Sequence, residues 1–285
     1  MKKFSALLLV LVMILALAGC GKTEAAPAEE PAAAPVEEPA AAPAEEPAAE
    51  APAEEPAAEA PAEEPAAEAP AEEPAAEPAA VMSHDEYIAA DVDSPVTVET
   101  FVQDKQSWWD NKANLYCQSE DGAYFIYETA CSEEDYAKLE PGTKIRVTGF
   151  KSEWAGEVEI VDGSFEILEG SFVAEPLDVT ALLGTDELIA HMNERVCFKG
   201  MTVEASDGGA AFVFKNGEEG NDIYFKVSVN GAIYDFTVES YLRGAGTEVY
   251  EAVKQLNVGD VIDLEGFLYW YEGANPHIIA VAPAA

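Results

Sequence analysis

Apolar and polar residues alternate from residue 96 onward: Val96, Val98, Thr100 and Val102 take every second position and predict a strand. Two further strands are predicted over 113–118 and 123–128, separated by the turn signal Glu120-Asp121-Gly122. Ser132-Glu133-Glu134-Asp135 has the form of a capping box and predicts a short helix to Leu139, which Pro141-Gly142 ends. Strands over 143–151 and 157–167 follow, giving three strands, a helix and two strands. The same order returns as strands 196–204, 222–229 and 232–239, a helix over 248–256, and strands 260–271 and 276–281. Between the halves, 185–193 predicts a linking helix with Thr185 as N-cap and Asp186 and Glu187 in its first turn.

A constant offset of 117 residues aligns Leu139, Gly142, Ile145, Gly149, Phe150 and Gly156 with Leu256, Gly259, Ile262, Gly266, Phe267 and Gly273, and sets Trp154 opposite Tyr271. These matches fall on turn glycines and on alternate strand positions, so they mark an internal repeat. Three strands, a helix and two strands, with a glycine at the centre of the fourth strand, is the plan of the five-stranded OB barrel, where that glycine lets a strongly bent strand serve both sheets. The predicted fold is therefore mainly β: two five-stranded OB-like Greek-key barrels, each with a short helix, over 81–170 and 195–285, joined by a connector with a helix over 171–194. On the segments from Thr143 to Trp154 and Gly259 to Gly273, the chain resembles clostridial-type surface lipoproteins with tandem OB-like domains, over 81–285. The resemblance implies a binding role and carries no catalytic residues. Nothing predicts a rigid tie between the barrels, so hinge freedom is expected around 169–185.

The chain starts differently. Lys2-Lys3 precedes an apolar run over 4–17, shorter than the ~20 residues of a spanning helix, and Leu17-Ala18-Gly19-Cys20 closes it. This resembles a bacterial lipoprotein signal over 1–19, with 20–23 as the lipidated N-terminus. The resemblance implies cleavage before Cys20, diacylglycerol on its sulfur and a lipid-anchored protein on the extracytoplasmic face of the cell membrane. The alternative is a secreted protein whose Cys20 merely follows a cleavage site. Residues 24–80 contain only Ala, Pro and Glu apart from Val36, and from Pro43 repeat Pro-Ala-Glu-Glu-Pro-Ala-Ala-Glu-Ala. Without large apolar residues the repeat builds no core, and recurrent Pro breaks the helix that Ala and Glu favour. It reads as a disordered, extended linker reaching on the order of 100 Å or more.

Of the formal net charge of −40, the linker carries −17 and residues 81–285 carry −26. A nucleic-acid binder displaces counterions with Lys and Arg, so this balance makes nucleic acid an unfavourable partner and leaves cations, neutral sugars and basic surfaces open. His84, His191 and His277 are scattered, and no nucleophile, phosphate-loop or zinc pattern occurs. Asp91-Val-Asp93 and 218–222 lack calcium-loop spacing, and Gly244-Ala-Gly246 reads as a turn. No enzyme activity, metal or cofactor is expected. Cys117, Cys131 and Cys197 are read as buried thiols, with a Cys117–Cys131 bridge left open.

Aromatic residues give the candidate site. Trp108 and Trp109 fall in a polar loop between the first two strands, and Tyr269, Trp270 and Tyr271 end the fourth strand of the second half, where alternation turns Trp270 away from its neighbours. OB barrels bind on the strand 2–3 face and on the loops joining strands 1–2 and 4–5, which lie near both groups. These rings could stack on sugars or meet a partner. The alternative is that they plug barrel ends or the interface between the domains, since small barrels need large side chains. The expected function is binding of an extracellular glycan, peptide or small molecule. An envelope adaptor or structural protein that binds a partner protein is the alternative, and single-stranded nucleic-acid binding is disfavoured by charge.

Overall fold

The computed structural model describes residues 80–284. The expected signal segment, Cys20 and the repeat through residue 79 lie outside the described residues. Strands β1 (Pro95–Lys105), β2 (Lys112–Ser119), β3 (Gly122–Ala130), β4 (Thr143–Trp154) and β5 (Glu157–Ser171) form a closed barrel in the order β1-β2-β3-β5-β4. All neighbours are antiparallel except β3 and β5, which meet in parallel at Phe125 and Ile126. This ring order is that of the OB fold. Val96, Val98, Thr100 and Val102 are all buried, as the alternation requires, and the three valines share the barrel core with Leu115, Ile126 and Ile145. Helix α2 (Glu133–Lys138) sits between β3 and β4, with the Ser132 side chain accepting from the Asp135 amide. The cap forms, but in place of a reciprocal side-chain-to-backbone bond Ser132 Oγ donates to the Asp135 carboxylate.

The second half repeats the ring with β7 (Arg195–Glu204), β9 (Ile223–Val229), β10 (Ala232–Val238), β11 (Val261–Phe267) and β12 (His277–Pro283). Its sheet runs β7-β11-β12-β10-β9, and pairing of Thr202 to Glu204 with Ser228 to Lys226 joins β7 to β9 and closes it. Two short strands enlarge this sheet beyond five: β6 (Leu177–Asp178) on β7 and β8 (Phe212–Phe214) on β9. Phe198, Met201, Phe225, Phe236 and Leu264 fill the core, and α3 (Glu248–Val253) covers it with Val249, Tyr250 and Val253.

The repeat-related glycines have one physical reason. Register shifts at 148/150 and 265/266 mark bulges where the fourth strand of each barrel bends against the fifth. A Cβ on Gly149 would lie 2.7 Å from the Val161 carbonyl oxygen, and one on Gly266 would lie 2.3 Å from that of His277. Only a residue without a side chain permits that approach.

Three features depart from the sequence expectation. Helix α1 (His84–Ala89), absent from the strand pattern, begins at a complete capping box of Ser83 and Glu86 and buries Tyr87. Buried Lys151 of β4 ends it by donating from Nζ to the carbonyls of Ile88 (2.6 Å) and Ala90 (2.8 Å). The expected linking helix over 185–193 is replaced by 3-10 turns at Thr180–Leu182 and Leu188–His191, and the Thr185 hydroxyl donates to Leu182 instead of capping. With Gly184 at φ +77° just before Thr185, the chain turns over too few residues for an α-helix to nucleate.

The expected hinge over 169–185 is likewise not built, because the barrels share a dry seam. Tyr116 of β2 and Phe125 of β3 turn out from the first barrel and pack on Phe267 and Leu242 of the second. Tyr116 stacks on Phe267 with centroids 4.6 Å apart, and its hydroxyl lies 2.6 Å from His277 Nδ1. Gln106 donates to that hydroxyl, so the phenol proton goes to Nδ1 of a neutral imidazole. Burial holds the His277 pKa down at about 3, in keeping with that state. At the rim, Arg243 pairs with Asp104, Ser107 donates to the Tyr241 carbonyl, and the Arg195 amide donates to Gln118. The connector is strapped too, as Gln103 bonds both Phe172 and Ala174. Cys117, Cys131 and Cys197 are buried free thiols.

Gly266→Ala is expected to cost about 3 kcal/mol, the upper range for overpacking, and Gly149→Ala less, because its closest backbone contact is longer. Urea unfolding of both variants measures the order, and equal midpoints would contradict it. Tyr116→Phe leaves a buried imidazole nitrogen without a donor and should cost about 1–3 kcal/mol. A Tyr116→Phe midpoint identical to that of the parent would mean the seam does not form in solution.

Candidate functional site

Where the β4–β5 loop of the first barrel approaches the β11–β12 loop of the second, the chain leaves a cleft of about 730 Å³. This is within the usual range for small-molecule sites. Its walls come from α1, the β2–β3 turn, the β4–β5 loop, the 3-10 connector and Trp270. Local bonds fix each wall. Asp121 Oδ2 accepts from the His84 amide at 3.0 Å, which joins α1 to the β2–β3 turn. Asn193 Nδ2 donates to the Val158 carbonyl and Met192 Sδ meets the Val158 amide, which brings the connector to the start of β5. Trp270 closes over Gly156, where a Cβ would come within 2.9 Å of the indole.

The two loops meet through repeat-related residues. Trp154 packs on Tyr271 with centroids 5.1 Å apart at 40°, and the Glu272 amide donates to the Ala155 carbonyl at 2.8 Å. Both rings are about half exposed, so they form an aromatic shelf next to the cleft residues Glu153, Gly156 and Trp270.

The five aromatic candidates separate. Strand β11 ends at Phe267, so Tyr269, Trp270 and Tyr271 lie in a loop, and strand alternation does not orient them. Tyr269 belongs to the seam, stacked at 4.3 Å on His277 and edge-on to Phe125. Trp270 lines the cleft and Tyr271 the shelf. Trp108 is half-buried, with Nε1 donating to the Cys131 carbonyl at 2.9 Å, and exposed Trp109 pairs its backbone with Lys112. Neither lines the cleft. The alignment of Trp154 with Tyr271 was the signal for the shelf. For the seam it was the run of apolar residues through Leu115-Tyr116-Cys117 and Ala123 to Ile126, which marks strands covered on both faces. Apart from Trp270, nothing local marked the cleft residues, because they come from five separate segments.

Beneath the cleft lies a group of buried polar side chains. Glu157 is fully buried, and its Oε2 accepts from the Trp270 amide at 2.8 Å. Burial pushes its pKa from 4.5 up to about 8, against the opposing effect of the nearby Asn193 amide and of the hydrogen bond from Trp270, and burial likewise raises Glu159 to about 7. Among the described residues Glu157 Oε1, Asn193 Oδ1 and Tyr87 Oη have no hydrogen-bond partner. A proton on Glu157 supplies this group with a donor that the carboxylate lacks, so the neutral acid is the form suited to the site. Among the described residues no three His, Cys, Asp or Glu side chains converge as a metal site. A smaller hollow of about 430 Å³ beside α3 is lined mainly by apolar residues, and its one carboxylate, Asp260, already accepts from Asn257.

No protein-family model matches the chain, and no curated protein matches it. Among solved structures it is similar to a murine DNA binding protein bound with double-stranded DNA, at 12% identity and a TM-score of 0.34, over 66% of this chain and 96% of that one. It is also similar to a replication protein A heterotrimer bound to single-stranded DNA, at 10% identity and a TM-score of 0.29, over 65% and 49% of the two chains. A deletion mutant of the single-stranded DNA binding protein from Thermus aquaticus matches at 13% identity and a TM-score of 0.25, over 67% and 94%. At such scores these likenesses carry no argument about binding, and the barrel assignment rests on strand order.

Between pH 4.5 and 8 the folded chain keeps the Glu157 proton that the unfolded chain releases, so this group's stabilisation is full at low pH and is lost as pH rises through about 8. Glu157→Gln should remove up to about 1.4 kcal/mol per pH unit from the slope of stability over that window. Urea midpoints measured from pH 5 to 8.5 test this, and an unchanged slope would refute it.

Proposed function

We propose that the protein is a lipid-anchored, extracytoplasmic binding protein in which two fused OB barrels offer the cleft between their fourth-to-fifth strand loops to an extracellular ligand. The observation that carries this reading is the cleft itself, a small-molecule-sized space walled by several chain segments and bordered by Trp154, Trp270 and Tyr271. The N-terminal segment ending in Cys20 supports the location, and the Ala/Pro/Glu repeat supports display away from a membrane. The net charge of −26 on residues 81–285 argues for a ligand other than nucleic acid. A clostridial-type surface lipoprotein is the class to which the reading assigns the chain, with no catalytic step.

A second reading, an envelope adaptor that grips a partner protein, draws on another surface. Trp109 and Tyr241 are each 67% exposed on loops joined by the bond from Ser107 to Tyr241. Large exposed aromatics of this kind are common anchors of protein interfaces.

Mass spectrometry of membrane-extracted protein should find diacylglycerol on Cys20, and Cys20→Ser should move the protein out of the membrane fraction. A free thiol at the mature N-terminus would refute the anchor. For the cleft, full-length protein should be screened by thermal shift against oligosaccharide, peptide and metabolite panels. Ile189→Trp, at a half-exposed cleft position, should abolish the response to any true ligand. Responses untouched by Ile189→Trp but lost in Trp109→Ala would favour the adaptor reading.

A further inference from the structure

The cleft lining has a definite chemical character. Asp85 comes from α1, Asp121 from the β2–β3 turn, Glu153 from the end of β4 and Glu194 from the connector, so four separate segments each bring a carboxylate to the lining. No Lys or Arg lines the space, and none pairs with Asp85, Asp121 or Glu153 among the described residues. Between the carboxylates the surface is mostly aliphatic, formed by Ile88, Ala89, Val158, Ile189 and Met192, with Trp270 at one side. The carboxylates do not converge on a point, since no described group of three acidic, His or Cys side chains could hold a metal. Independently of the charges, Tyr87 and Asn193 line the same cleft, are 1% and 3% exposed, and each carries an oxygen without a partner among the described residues.

Dispersed anions around an aliphatic floor, with unfilled acceptors in the wall, call for a ligand that is apolar along its length and donates hydrogen bonds from separated positive charges. A metal ion has the charge without the body, and a sugar has the donors without the charge. A folded basic protein is too large for about 730 Å³. Resting on the reading of the cleft as the binding site, we infer that it takes a flexible aliphatic polyamine, whose methylene segments cover Ile88, Val158 and Ile189 while its ammonium groups meet Asp85, Asp121 and Glu153. Trp270 offers a ring face to one ammonium group.

The test is isothermal titration of the full-length chain with spermidine, with putrescine and a Lys-rich peptide as comparison arms. Saturable binding of one spermidine is expected, with putrescine weaker because it carries fewer charges. Asp85→Asn combined with Glu153→Gln should weaken spermidine binding at least tenfold, while Asp235→Asn, an exposed position on β10, should leave it unchanged. The glutamates of residues 24–80 remain in every variant, so their diffuse uptake of cations cancels from the comparison. Equal weakening by both sets of substitutions, non-saturating uptake, or preference for the peptide would overturn the inference. If spermidine fails but a panel ligand blocked by Ile189→Trp binds, the ligand class is wrong and the cleft stands as the site. If no compound responds to Ile189→Trp, the site reading itself falls.

Discussion

The contact between Tyr116 and Phe267 decides how this chain is put together. An OB barrel buries the inner face of its strands and leaves the outer β2–β3 face for a ligand. Here Tyr116 and Phe125 make that outer face aromatic, and Phe267, Leu242 and Tyr269 of the second barrel cover it. A fully buried aromatic contributes roughly 1.5–3 kcal/mol relative to exposure, so several of them outweigh the freedom lost in fixing two barrels together. The first barrel thereby gives up the surface on which OB domains usually bind. What remains between the barrels is the cleft at the edge of the seam, where the two β4–β5-type loops meet.

The seam also controls charge in a strongly acidic protein. Carboxylates caught near it are pushed toward the neutral form: Glu157 to about 8, and Glu159 and Glu239 to about 7, each mainly by burial. His277 is driven the other way and stays neutral, which lets it accept from Tyr116. Both partners of that central bond are uncharged at neutral pH, so the interface avoids placing an unpaired charge in a dry environment. Ionised pairs such as Arg243 with Asp104 stand at the margin, where water still reaches them.

The repeat acts at two levels. Gly149 and Gly266 solve the same steric problem in each barrel, letting a bent fourth strand touch the backbone of the fifth. Trp154 and Tyr271 hold equivalent positions on the two copies, yet they pack on one another, and the neighbouring equivalents Ala155 and Glu272 share a backbone bond. The duplicated segment thus supplies both the bend of each barrel and part of the junction between them. Divergence did the rest: Phe150 is exposed where its counterpart Phe267 is buried in the seam.

Alternation at Val96, Val98, Thr100 and Val102, the turn at Asp121-Gly122 and the glycines at Gly149 and Gly266 were enough to place the strands along the chain and to mark the duplicated barrel plan, because side-chain period and backbone sterics are local properties. Composition alone likewise set the acidic balance. Helix α1, as short as α2, carries in Ser83 and Glu86 the same kind of capping signal that marked α2 but lies ahead of the first strand, outside the alternating pattern, and the strand pattern overran Phe267 into a loop because Tyr269 and Tyr271 keep the alternation while the backbone turns away. Only the tertiary structure decided that Tyr116 and Phe125 face a second barrel, that Glu157 is dry and that Asp85, Asp121 and Glu153 line one space. The physical reason is that burial and proximity depend on which distant segments meet, and no single stretch of this chain contains that information.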